Sequence, residues 1–272
     1  MMQLCLSNIT WKKNKNSFNE FLKFAKSIGC KGIELAPSII WEEPILSKSA
    51  ERKVIKEMII SSNLKLVGLH SLLFTRPDLK MFKNEINQIN LKKYIFKLID
   101  LCLDLGGSQI VFGSPKNREL CGKSYKNCLL ESYKIFSDIA SYAEKKKIIF
   151  AIEPLSKNET DFLYSLEDAL KLVKKINNKN LLINLDTKVL FGQGKKIPKI
   201  IKSSKNYINH VQIGGRGLKL PTLINEEHNL IAKSLREIDY KKFISLEIRR
   251  DELDIKGNII KGLKFIKKNY LI

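Results

Sequence analysis

The sequence predicts an α/β protein, a single closed (βα)8 TIM barrel spanning residues 1–272. Two observations point there. Eight short apolar runs alternate with eight segments of helical pattern, and no shift in composition separates one part of the chain from another. The runs are apolar throughout instead of alternating, as parallel strands covered on both faces are. An open doubly wound sheet would leave the first and last strands as edges, and neither is defended by charge or proline. No Gly-x-Gly-x-x-Gly follows the first strand, which argues against dinucleotide binding.

Taken in order, the first strand is Gln3–Ser7, followed by Asn8-Ile9-Thr10-Trp11. Asn16 or Ser17 then caps a helix with Phe18, Phe21, Leu22, Phe24 and Ala25 on one side, stopped near Gly29. Strand two is Gly32–Leu35, helix two covers 49–62, and strand three covers 64–70. Helix three carries apolar residues from Ile89 through Leu105 and ends at Gly106-Gly107. Strand four is Gln109–Phe112, and helix four covers 124–146. Strand five lies within 147–151 and leads into Ile152-Glu153-Pro154. Helix five begins near Ser165, where Glu167 and Asp168 suit a positive helix N-terminus. Strand six ends on Asp186, strand seven on Gln212 and strand eight on Glu247. A short helix with Ile197, Ile200 and Ile201, one over 222–235 and one over 255–268 complete the alternation.

The net charge of +21 admits a polyanionic partner or a phosphorylated substrate. The lysines, however, are scattered over every helical segment and form no block, so nucleic acid is disfavoured. No run is long and apolar enough to span a membrane, and no signal peptide is visible at the N-terminus. Five cysteines at irregular spacing, without a Cys-x-x-Cys pair, read as reduced thiols of a cytoplasmic protein.

In a barrel the chemistry sits where strands end and loops to the helices begin. Asn8, Glu34, His70, the loop 114–118, Glu153, Asp186, Gln212 and Glu247 all hold such positions. Clustered carboxylates repel one another unless a cation neutralises them. A divalent ion on Glu153, Asp186, Gln212 and Glu247 would do so, and oxygen donors favour Mn²⁺ or Mg²⁺ over Zn²⁺ or Co²⁺. The plainer alternative is that each carboxylate pairs with a lysine or caps the following helix. His210, two residues before Gln212, reads as a buried layer residue. Trp11 and Trp41 either stack on a sugar or close the barrel top. Gly214-Gly215-Arg216-Gly217 reads as a phosphate-binding loop, with Lys116, Asn117 and Arg118 as a second cationic loop. His70, Glu34 and His228 complete the candidate substrate contacts.

The series Glu153, Asp186, Gln212, Glu247 resembles the metal-ligand series Glu, Asp, His, Glu of the xylose isomerase-like barrel superfamily. Residues 7–11, Ile110-Val111-Phe112-Gly113-Ser114-Pro115-Lys116-Asn117-Arg118 and Ile152-Glu153-Pro154 resemble its sugar phosphate isomerase/epimerase group. The likeness covers essentially the whole chain. It implies metal-assisted proton transfer through an enediolate, with Glu153 and Glu247 as acid and base. The implied substrate is a sugar or phosphosugar, and the implied oligomer a homodimer. Two departures matter. Gln212 replaces the expected His, and Asp186-Thr187-Lys188-Val189 lacks the His of an Asp-x-x-His pair, with Lys188 supplying positive charge and a substrate contact instead. These departures keep a second reading open: a sugar-binding barrel with a degraded metal site. An inosose-type dehydratase shares the enolate chemistry. An endonuclease IV-like enzyme would need more than the three histidines present.

Overall fold

The computed structural model describes residues 1–12, 17–223 and 225–271. Eight parallel strands close into one barrel in chain order: β1 (Gln3–Ser7), β2 (Gly32–Leu35), β3 (Lys65–Leu69), β4 (Gln109–Phe112), β5 (Ile149–Ile152), β6 (Leu181–Asp186), β7 (Ile208–Ile213) and β8 (Phe243–Leu246). Pairing of β1 with β8, Leu4 opposite Ile244, removes both edges. The helices are α1 (Phe18–Ser27), α2 (Ser49–Ser61), α3 (Glu85–Asp104), α4 (Tyr125–Lys145), α5 (Leu166–Ile176), α6 (Ile197–Ser203), α7 (Asn225–Glu237) and α8 (Ile255–Tyr270).

Helix starts follow local capping chemistry. Asn84, Ser124, Ser165 and Asp254 each accept a backbone N–H from the first turn of α3, α4, α5 and α8, which contributes about 1 kcal/mol per cap. The Asn84 cap explains why α3 begins at Glu85, well before the apolar spacing at Ile89. At α1 the Ser17 hydroxyl donates to the Lys12 carbonyl at 3.4 Å, and Asn16 lies outside the described residues. β5 starts at Ile149 because Lys147 turns the chain out of α4 with φ of +57°.

The strands bury nearly every side chain, as parallel strands under a helical layer must. Between barrel and helices, Phe112 and Phe150 pack on Phe136 of α4. Trp11 is buried against Phe21 and Phe24, Trp41 is buried as well, and neither lines the cavity described below. All five cysteines are free thiols, and only Cys121 is exposed. No helix among the described residues is long and apolar enough to cross a membrane.

Candidate active site

One cavity of about 330 Å³ opens at the C-terminal end of the strands. That volume lies in the range expected for a small-molecule site. His70, Lys116, Asn117, Glu153, Lys188 and Glu247 line it, together with Glu159 and an apolar wall that includes Phe74.

Glu153 is delivered by β5, and its position is fixed from three sides. Its N–H bonds the Phe112 carbonyl. Its own carbonyl accepts Arg118 Nη2 at 2.9 Å. Its carboxylate passes so close to Gly113 that a Cβ there would sit 2.5 Å from Oε2. A side chain at Gly113 would therefore displace that carboxylate. The next residue, Ser114, has φ of +46°, and Ser71 after β3 has φ of +51°. Left-handed non-glycine residues carry strain, and both of these border the cavity.

β6 ends in an Asx-type turn. Asp186 Oδ1 accepts the Lys188 N–H at 3.0 Å, which folds the chain back and brings the Lys188 ammonium over the same carboxylate. Lys188 Nζ lies 2.6 Å from Asp186 Oδ2, 3.4 Å from Glu153 Oε1 and 3.6 Å from Glu159 Oε1. Burial works against the ammonium, but Asp186, Glu153, Glu247 and Glu159 outweigh it and hold its pKa well above the ordinary lysine value. Burial pushes Glu153 up to about 8, with Lys188 pulling down and Asp186 and Glu247 pushing further up. Arg118 is fully buried, and desolvation lowers it to about 10 against the pull of Glu153 and Glu159.

Across the barrel, Glu247 Oε1 lies 3.2 Å from His70 Nδ1, and His70 Nε2 meets Ser7 Oγ at 2.8 Å. Burial disfavours the imidazolium, yet Glu34 and Glu247 override it and raise the His70 pKa. Below this level sits a second polar layer. Glu34 Oε2 is 3.0 Å from His210 Nε2, and its Oε1 accepts the Gln212 amide at 3.1 Å. The Gln212 oxygen in turn accepts Asn184 Nδ2.

A divalent ion would need oxygens of Glu153, Asp186, Gln212 and Glu247 turned to one point. The residues do not fit such an ion. Gln212 has its oxygen on Asn184 and its amide on Glu34, while the Lys188 ammonium sits between Asp186 and Glu153. Among the described residues no group of three or more His, Cys, Asp and Glu side chains could hold a metal ion.

Several expected substrate contacts do other work. Glu34 is buried in the lower layer and does not line the cavity. Asn117 borders the cavity, but its amide donates to the Arg76 and Leu79 carbonyls and pins that loop. Arg118 supports the Glu153 backbone from behind, and Arg216 points outward, 64 % exposed, over the Phe191 ring and near Glu227. The glycines before Arg216 serve close packing: a Cβ on Gly214 would meet the Glu247 carbonyl at 2.4 Å. His228 is buried among Phe191, Phe265 and Tyr270, with Nδ1 2.6 Å from the Tyr270 hydroxyl. Ser7 and Glu159 also reach the site, outside the residues that strand-end position marks as candidates. Ser7 ends the first strand one residue before Asn8, a signal that could have found it; Glu159 lies in a polar loop without any distinguishing pattern.

The sequence model described as "Xylose isomerase-like TIM barrel" matches residues 22–269. No curated protein matches the sequence significantly. Among solved structures, D-psicose 3-epimerase from Clostridium cellulolyticum H10, crystallised with D-tagatose, superposes with a TM-score of 0.84 at 15 % identity over 99 % of both chains. An L-ribulose 3-epimerase gives 0.84 at 16 % identity, covering 100 % of this chain and 95 % of its own. The IOLI protein with a bound zinc atom gives 0.75 at 18 % identity over 100 % of both. At such identities the likeness establishes a shared fold.

Proposed function

The chain belongs to the xylose isomerase-like TIM barrel family, and we propose that it is a sugar epimerase that moves a proton on a ketose through an enediolate. The observation that carries this reading is that Glu153 and Glu247 line one cavity of sugar size from nearly opposite sides of the barrel. β5 and β8 lie three strands apart in a ring of eight.

One glutamate, as carboxylate, takes the proton from the carbon beside the ketose carbonyl. The C–H electron pair forms the enediolate double bond, and the carbonyl π pair moves to its oxygen. The other glutamate, as carboxylic acid, returns a proton to the opposite face of the same carbon, and the oxygen pair re-forms the carbonyl. Carbon configuration inverts and no atom is lost; the two glutamates exchange protonation states and reset through solvent. His70 holds Glu247 in place, backed by Ser7. The Arg118 bond fixes the backbone at Glu153. Phe74, 74 % exposed at the cavity mouth, offers an apolar face to the C–H side of a sugar ring. Of Lys116, Arg118 and Arg216, only Lys116 borders the cavity, so an unphosphorylated ketose suits the site better than a phosphosugar. The sugar epimerases among the structural neighbours are consistent with this class.

The test is incorporation of solvent deuterium into a panel of ketoses, followed by NMR. The wild-type protein is expected to wash deuterium into the carbon beside the carbonyl of at least one ketose. Glu153→Gln and Glu247→Gln are each expected to slow that by about 10²–10⁴-fold. A protein that binds ketoses without exchange would be the binding-only barrel and would overturn the proposal.

A further inference from the structure

The positive charge in this site is built into the chain. We infer that the Lys188 ammonium is the resident cation of the carboxylate cage, taking the position where a divalent ion would otherwise bind, and that the site works without a metal. The inference deepens the proposed epimerase and rests on that reading only for the ammonium's part in catalysis.

Three observations support it independently. First, the ammonium has the contacts of a bound ion, with oxygens of Asp186, Glu153 and Glu159 at 2.6, 3.4 and 3.6 Å. Its side chain is only 12 % exposed, yet it lines the cavity. Secondly, the Asp186 turn delivers it. Both oxygens of that carboxylate face Lys188, one toward its N–H and one toward its ammonium. A metal at Asp186 would have to displace a cation held within the same three-residue turn. Thirdly, Gln212 is committed elsewhere. Its oxygen accepts from Asn184 and its amide donates to Glu34, so turning that oxygen to a metal would strand two buried partners.

The charge balance agrees. Glu153, Asp186 and Glu247 are faced by Lys188, by Arg118 behind Glu153 and by His70 beside Glu247. A dication added to that set would meet the Lys188 ammonium and the Arg118 guanidinium, whereas three carboxylates alone would attract it. In the proposed reaction the ammonium donates a hydrogen bond to the oxygen on which the enediolate charge develops. An N–H donor aimed at a developing oxyanion in a dry site is an established means of lowering such a barrier.

The test uses Mn²⁺ as probe and no sugar, so its outcome is separate from whether the epimerase reading holds. Purified wild-type protein is analysed for bound metal, treated with EDTA, dialysed and titrated with Mn²⁺ by calorimetry, beside Lys188→Met. The wild type is expected to carry no stoichiometric metal and to bind no Mn²⁺ below millimolar concentration. Lys188→Met uncovers the cage and is expected to bind Mn²⁺ at least tenfold more tightly and to melt higher in its presence. Stoichiometric micromolar binding by the wild type overturns the inference, and so does a folded Lys188→Met chain that gains no affinity. If that variant does not fold, Lys188→Ala with Mn²⁺ present during refolding replaces it. Recovery of folded protein only with Mn²⁺ supports the inference; equal recovery without the ion overturns it.

Discussion

Glu34 and Glu153 are both glutamates at strand ends of one barrel, and both are buried. Their chemistry diverges. Glu34 is ringed by neutralising partners: His70 and His210 overcome its burial and hold it down to about 2. Glu153 meets one ammonium but also two carboxylates, and burial pushes it up to about 8. Burial is common to both, so the partner set decides. One glutamate becomes a fixed anion that organises the barrel interior. The other can gain or lose a proton near neutral pH, as an acid/base group must. In the proposed reaction the two layers of the barrel thus separate structure from chemistry.

The comparison breaks most visibly at Glu34. Glu34→Ala removes the acceptor for His210 and Gln212 and leaves His70 without its main countercharge. Loss of one partner of a buried ion pair costs about 3–5 kcal/mol. Urea unfolding of the purified variant measures it, and a loss under 1 kcal/mol would mean the lower layer is not the anchor described.

His228 gives burial with no acidic partner. Desolvation lowers its pKa to about 4, with the Gly214 carbonyl opposing weakly. The unfolded chain therefore takes up the proton first, near pH 6.5, and the folded chain only near 4. Stability is full above about pH 6.5 and falls as the pH drops toward 4, by roughly 3 kcal/mol in total from this group. Subtracting the pH profile of His228→Phe from that of the wild type isolates the effect; identical slopes between pH 4 and 6.5 would contradict it.

Gly113→Ala tests the close approach on the Glu153 side. The new methyl would lie 2.5 Å from Oε2, so the carboxylate must move. Overpacking of this kind costs about 1–3 kcal/mol, and deuterium exchange should fall more than stability does. Arg216→Ala is the smallest change. The residue is exposed and outside the cavity, so stability should stay within about 0.5 kcal/mol and exchange should be unaltered. A large loss of exchange in that variant would return the loop after β7 to the active site.

The barrel was legible because strands buried on both faces leave unbroken apolar runs, and because the strand count closes the sheet. Strand-end position picks out Glu153, Glu247 and His70, which line the cavity, and Asp186, which contacts Lys188 beside it. What it does not specify is depth. Glu34 and Gln212 also end or nearly end their strands, but they point into a lower layer whose hydrogen bonds join strands far apart in sequence. The same blindness made Arg216 look like an anion ligand: a glycine-rich loop reads alike whether its glycines face a phosphate or the Glu247 carbonyl. Lys188 was partly visible. Asp-x-Lys at a strand end is an Asx turn, and that turn brings an ammonium back to its own carboxylate. The case against the expected divalent ion rests on that local geometry and on Gln212's engagement with Asn184, neither of which a ligand-type pattern reveals.

The most direct measurement is solvent-deuterium exchange into the responding ketose by protein stripped with EDTA and verified metal-free. Exchange is expected to proceed at the untreated rate and to be lost in Lys188→Met, Glu153→Gln and Glu247→Gln. Exchange that disappears on stripping and returns with Mn²⁺ would contradict it.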